Sequence, residues 1–137
     1  MMMDLFLPMF FYVVYIVLLG ILNFLTRKDH ARKREVSLGY FRTYTGAAPD
    51  RVLVVGRHFD NQFQIPLLFF ITCLATQFYG ASGPVAVALA WLFIASRLVH
   101  SFIHLGSNNV LYRATAYMVG VILVLTLWVH LFFHLIF

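Results

Sequence analysis

Arg57-His58-Phe59-Asp60-Asn61-Gln62-Phe63-Gln64-Ile65-Pro66 decides how the chain is read. It sets a full cation, a full anion and side-chain amides inside a stretch that otherwise reads as a membrane span. One charged side chain at the bilayer centre costs at least roughly 2.5 kcal/mol, so such residues face a bundle interior or a wet cavity and mark a functional site. The rest of the sequence shows whether this region is such a site.

The composition, 62% hydrophobic against 11% charged, leaves the soluble range and points to a single-domain, all-α integral membrane protein. The net charge of +5 does not indicate nucleic acid, because the basic residues flank apolar spans instead of forming a solvated patch. Cys73 is the one cysteine and lies among Phe69, Phe70, Ile71 and Leu74. An intrachain disulfide is excluded, and the thiol reads as a small buried hydrophobe.

Working outward, residues 5–27 form a first span, and at ~1.5 Å per residue they cover a hydrocarbon core about 30 Å thick. A cleaved signal peptide is not expected, since Asp4 and no Lys or Arg precedes the run and no small-residue cleavage site follows it. Arg27, Lys28, Arg32, Lys33, Arg34 and Arg42 make the next segment basic, with Asp29, Glu35 and Asp50 in partial offset. The positive-inside tendency places this segment in the cytoplasm and both chain ends on the opposite side. The second span covers 50–78, with Asp50 as N-cap and a kink at Pro66. The turn Gly80-Ala81-Ser82-Gly83-Pro84 leads to a third span, 85–105, and Gly106-Ser107-Asn108-Asn109 to a fourth, 111–136. Short connections make this an up-down-up-down four-helix bundle.

On a helix turning 100° per residue, Arg57, Asn61 and Gln64 stand at about 0°, 40° and 340°, a single face with Asp60 at its edge. Arg97, His100 and His104 share a face of the third span, and Arg113 and Tyr117 stack on the fourth. Counted from the cytoplasmic ends at ~1.5 Å per residue, the three stripes overlap in depth within roughly the first 20 Å. A cationic pocket open to the cytoplasm suits a small, anionic, amide-rich ligand, because guanidinium pairs with carboxylate in bidentate fashion.

Arg57-x-x-x-Asn61-x-x-Gln64 followed by Pro66, then Arg97-x-x-His100-x-x-x-His104, then Arg113-x-x-x-Tyr117, resembles the membrane-associated proteins in eicosanoid and glutathione metabolism, the MAPEG family. The resemblance implies a homotrimer that binds glutathione between neighbouring subunits near the cytoplasmic face. By position it implies that Arg57, Asn61, Gln64, His100 and His104 contact the tripeptide, with Arg97 in the same set and Tyr117 at the border. It puts Arg113 where the family's catalytic arginine stabilises the glutathione thiolate. Three positions depart from the better-known enzymes: Gln64 stands for Glu, His104 for a common Tyr, and Ala114 for the Ser of the prostaglandin synthase branch.

The expected function is therefore a glutathione-dependent membrane enzyme, transferase or peroxidase, acting on a lipophilic electrophile delivered from membrane lipid. The alternative is a non-catalytic binding or assembly protein of the same fold. The residues also allow plainer uses. Arg57 with Asp60, or Arg97 with Asp60, can form a structural ion pair, and Arg113 can anchor at the interface. No metal site is expected: His100/His104 and His130/His134 each offer two ligands, and the pairs lie at opposite ends of the bundle. Phe6, Phe10, Phe11, Tyr12, Tyr15, Phe69, Phe70 and Phe78 read as lipid-facing or packing residues that can also shape a channel for an apolar substrate. A through-channel lacks polar residues in the outer half.

Overall fold

The computed structural model describes residues 5–137; Asp4, on which the reading of the N-terminal flank rests, lies outside them. The described residues fold into helices joined by short turns: α1 (Phe6–Arg32), α2 (Tyr40–Thr43), α3 (Asp50–Asp60), α4 (Ile65–Phe78), α5 (Pro84–Leu105) and α6 (Val110–Ile136). α1, α5 and α6 are each long and apolar enough to cross a membrane. Their outward faces carry a dense apolar coat, including Phe10, Phe11, Leu18, Leu92, Leu125 and Phe132.

The segment 50–78 is not one kinked helix. α3 ends at Asp60, Asn61–Phe63 forms a 3-10 turn, and Gln64 leaves helical space at φ −103 and ψ −106 before α4 begins. Pro66 explains the break, because it has no N–H for the carbonyl of residue 62 and its ring collides with that carbonyl in a continuous helix. Within the interrupted stretch the Gln62 side-chain amide folds back and donates to the His58 carbonyl at 2.8 Å. Asp50, expected as the N-cap, lies instead in the first turn of α3 behind Pro49. Its carboxylate still faces the positive end of the helix dipole there.

α5 and α6 form an antiparallel hairpin, α1 packs on α3 and α5, and α4 closes against α6. The core is aromatic. Phe69 and Phe93 stack at 4.3 Å, and the Tyr12 ring meets both edge-on at 5.9 and 5.7 Å. Ala86 and Ala90, both fully buried, let α5 come close enough for this packing. Of the two uses expected for Tyr12, lipid-facing or packing, the structure shows packing: it is fully buried, and its hydroxyl donates to Gln62 Oε1 at 2.7 Å.

The hairpin turn depends on Gly106. A Cβ there would lie 2.7 Å from the Phe102 carbonyl oxygen, which is backbone and cannot swing away. Gly106→Ala is expected to destabilise the protein by about 1–3 kcal/mol, the usual cost of forcing an extra carbon into filled space. Thermal unfolding in detergent micelles checks this; an unchanged midpoint would show that the turn relaxes freely.

Candidate functional site

The break at Gln64 builds one wall of a polar cavity. Arg57 from the end of α3, Asp60, Asn61 from the 3-10 turn and Gln64 at the break line it, facing His104 of α5 and Arg113 of α6, around a volume of ≈ 320 Å³. A second space of ≈ 190 Å³, lined by Asn61, His100, Val110, Arg113, Ala114 and Tyr117, shares Asn61 and Arg113 with the first. Seven of the eight residues singled out from the sequence thus border these two spaces. Arg97 does not.

Arg113 is held by the loop before its own helix. Asn109 caps α6, its Oδ1 accepting from the N–H groups of Leu111 and Tyr112 at 3.1 and 3.2 Å, which satisfies two orphan donors of the first turn. Asn108, in left-handed backbone at φ 50, accepts from Arg113 Nη1 at 2.7 Å. The same nitrogen lies 3.5 Å from His104 Nε2. Asn108 is therefore a site residue that the sequence shows only as part of a turn.

Arg97 lies behind the cavity. It is 0% exposed, its guanidinium stands over the Tyr117 ring at 5.6 Å, and Nε, Nη1 and Nη2 find no hydrogen-bond partner among the described residues. The alternative pairing with Asp60 does not form; the ion pairs among the described residues are His30 with Glu35 and Lys33 with Asp29. His100 Nδ1 is likewise buried without a partner. The space that His100 borders is thus edged by the Arg113 cation and an unpartnered ring nitrogen, with the Arg97 guanidinium behind the Tyr117 ring, an arrangement that favours a bound anion.

His58 is the third imidazole of the site. Fully buried on α3, it has its ring 4.9 Å from His104 and 5.5 Å from His100, and the three residues can bring ligand nitrogens within 4.8 Å of one another. Three histidines could hold a metal by that distance. However, the Arg97 and Arg113 cations flank them and no carboxylate joins the set, so a dication would meet uncompensated positive charge. The signal for His58 was present in the sequence: His58 and Gln62 are four apart, the spacing of a second polar face on the expected span. His130, by contrast, lies at the other end of α6, with Nε2 3.2 Å from the Ala81 carbonyl.

A third cavity, ≈ 380 Å³, lies between α1, α2 and α3 and shares Arg57 with the first. Arg27 crosses it over the rings of Phe41 and Tyr44 at 5.5 and 5.6 Å and donates to the Tyr44 hydroxyl at 3.2 Å. The basic segment thus contributes a stacked guanidinium beside the polar cavity as well as setting loop charge.

No curated protein and no solved structure matches the chain. The model of the MAPEG family does, over residues 5–133 of 137. A cavity lined by Arg57, Asn61, Gln64 and Arg113, apolar helices of membrane-crossing length and this match over nearly the whole sequence lead to one assignment: the chain is a multi-pass membrane protein that belongs to the MAPEG family.

Proposed function

We propose that the protein is a glutathione-dependent membrane enzyme, of transferase or peroxidase type, that brings the thiolate to a lipophilic electrophile arriving from the bilayer. Membership of the family supports a membrane protein of the glutathione and eicosanoid metabolism kind. The observation that carries the finer reading is the shared lining of one cavity by Arg57, Asp60, Asn61, Gln64, His104 and Arg113. Glutathione carries two carboxylates, one ammonium and a thiol. Arg57 suits a carboxylate, Asn61 and Gln64 the peptide groups, and Arg113 the sulfur. A cation within about 4–6 Å favours the charged form of a thiol and so increases the nucleophile present at neutral pH.

In this reading α3 and α4 together make the second of four spans, three copies associate, and the cavity is completed between neighbours. The basic segment faces the cytoplasm and the chain ends face the other side, as the positive-inside tendency favours. Calorimetric titration with glutathione tests the ligand. Absence of heat at millimolar concentration would overturn the reading and leave the second one, a non-catalytic binder or assembly protein of the same fold. The neutral amide at Gln64 favours that second reading, since it offers no charge to the ligand's ammonium.

Asp60 answers this objection. Its carboxylate lines the same cavity one helical turn before Gln64 and can take the ammonium group in place of a glutamate at 64. Asp60→Asn is expected to weaken glutathione binding about tenfold, in line with about 1.5 kcal/mol for a charge-assisted hydrogen bond. An analogue lacking the α-amino group should bind the variant and the wild type alike; an equal loss for both ligands would remove Asp60 from this role.

A further inference from the structure

Behind the cavity wall runs a chain of hydrogen bonds whose direction is fixed by its two ends. At one end Arg113 Nη1, which can only donate, lies 3.5 Å from His104 Nε2. At the other, the Arg97 carbonyl, which can only accept, takes the Ser101 hydroxyl at 2.8 Å. His104 Nε2 must then carry a lone pair, so a neutral His104 bears its proton on Nδ1 and donates it to His58 Nδ1 at 3.3 Å. His58 in turn bears its proton on Nε2 and donates to the Tyr15 oxygen at 3.2 Å. The Tyr15 hydroxyl donates to Ser101 Oγ. Any other pair of neutral tautomers sets two protons or two lone pairs face to face.

The chain offers one lone pair to the cavity, on His104 Nε2. It is closed at its far end, because a proton passed beyond Tyr15 and Ser101 would meet only a helix carbonyl. His58 is 0% and His104 3% exposed, so solvent gives no second exit. The charged and titratable groups around the pair are Arg57 on α3, Asp60 across the shared cavity, Arg97 and His100 on α5, Arg113 on α6 and Tyr15 on α1. Three cations stand against one carboxylate, so a proton on either imidazole is favoured by a further anion created beside it. Loss of the proton from a thiol in the cavity creates that anion.

We infer that His104 takes the thiol proton of the bound substrate, and that His58 holds it with His104 until the product needs it. The inference rests on the glutathione reading above. The S–H bond breaks and an N–H bond forms at His104 Nε2, while the electron pair stays on sulfur as a thiolate facing Arg113. His104 can then pass its Nδ1 proton to His58 Nδ1, leaving one imidazolium in the pair. Tyr15 is a positioning residue, since its oxygen accepts from His58 Nε2 and so keeps Nδ1 free to receive. A hydroperoxide suits such a site. The thiolate attacks the outer oxygen, the O–O bond breaks, and the leaving alkoxide takes the stored proton to become an alcohol. The resulting sulfenic form of glutathione meets a second glutathione, giving the disulfide and water. With an aryl halide, halide leaves and no product atom needs the proton.

Proton counting tests this. Glutathione is titrated calorimetrically into the wild-type protein in buffers of different ionisation enthalpy, and thiolate is followed by its ultraviolet absorbance. The expected wild-type result is thiolate formation with well under half a proton released per thiolate, rising towards a full proton in His58→Asn. Tyr15→Phe, which keeps the ring and removes only the hydroxyl, should give an intermediate value and stands in if His58→Asn does not fold. A full proton released by the wild type, or release unchanged in both variants, overturns the proton-holding role while leaving the glutathione reading intact. No binding and no thiolate signal overturns both. The hydroperoxide rate of His58→Asn should also fall by about 10²-fold more than its aryl halide rate, the lower end of the usual range for losing a general acid; equal falls overturn the proton-return step.

Discussion

Replacing Arg113 with alanine is expected to lower kcat/KM for glutathione conjugation and for peroxide reduction by about 10²–10³-fold, the loss typical of removing one preorganised donor aimed at developing negative charge. The guanidinium is preorganised here by Asn108, which accepts from Nη1 at 2.7 Å, so it need not be collected from a mobile ensemble when the thiol arrives. Arg113→Lys separates charge from shape. The ammonium keeps the cation but cannot reach Asn108 and the sulfur with a planar fork, so its rate should fall between wild type and alanine. Glutathione affinity should change much less than rate, because Arg57, Asp60, Asn61 and Gln64 line the cavity independently of Arg113. Steady-state rates with a lipophilic aryl halide and a lipid hydroperoxide, beside titration calorimetry on each variant, check both halves. Equal rates in Arg113→Ala and wild type would refute the thiolate role.

Helix placement was legible because apolar length and loop chemistry are local. The runs 5–27, 85–105 and 111–136 correspond closely to α1, α5 and α6, although α1 continues to Arg32 as helix through the first basic residues. The interruption at Gln64 was legible only as a kink. The spacing shows that Pro66 disrupts the helix but not what holds the interrupted segment; here the Gln62 side chain is fixed by the His58 carbonyl and by the Tyr12 hydroxyl, which donates to it from 50 residues away. The exposed ring of Phe11 fits the lipid-facing reading, whereas the neighbouring Tyr12 is buried. A tyrosine hydroxyl in apolar surroundings needs a partner, and that need was the overlooked signal.

The site was half legible for a related reason. Angular position on a helix places Arg57, Asn61 and Gln64 on one face, and the cavity takes all three. It says nothing of radial depth, so Arg97 reads like Arg113 in sequence, yet one is fully buried and the other half-buried at the rim. His58 stands about 100° from Arg57 around α3, on a face whose surroundings spacing does not reveal. Its partners come from two other helices, Tyr15 from α1 and His100 and His104 from α5, and are fixed by tertiary packing and not by spacing.

Arg97→Met is expected to raise the stability of the ligand-free protein and to weaken glutathione binding. A full cation sits at 0% exposure with no hydrogen bond of normal geometry on any guanidinium nitrogen among the described residues; the neutral Tyr12 hydroxyl lies close by, and the Tyr117 face at 5.6 Å returns only about 2 kcal/mol of the desolvation cost. Methionine fits the space: Gly120 leaves room for the side-chain stem, a Cβ there lying 3.6 Å from Arg97 Cδ, and an unbranched thioether fills the channel without a charge. Removing a poorly compensated buried charge in favour of an apolar side chain stabilises by about 1–4 kcal/mol, which would raise the unfolding midpoint in micelles by several degrees. Yet the charge acts on whatever occupies the cavity. Tyr117 separates the guanidinium from it by one ring, and two unit charges about 10 Å apart at an effective dielectric of about 20 interact by about 1.7 kcal/mol. The ligand-free variant should therefore melt higher while its affinity for glutathione falls by about tenfold or more. Glutathione should then raise the melting temperature of the wild type more than that of the variant, because only the wild type has a buried cation awaiting its counter-charge. A lower midpoint for ligand-free Arg97→Met would mean that the resting protein already supplies an anion, such as a carboxylate from a neighbouring copy, and would move Arg97 from the ligand site to the assembly interface.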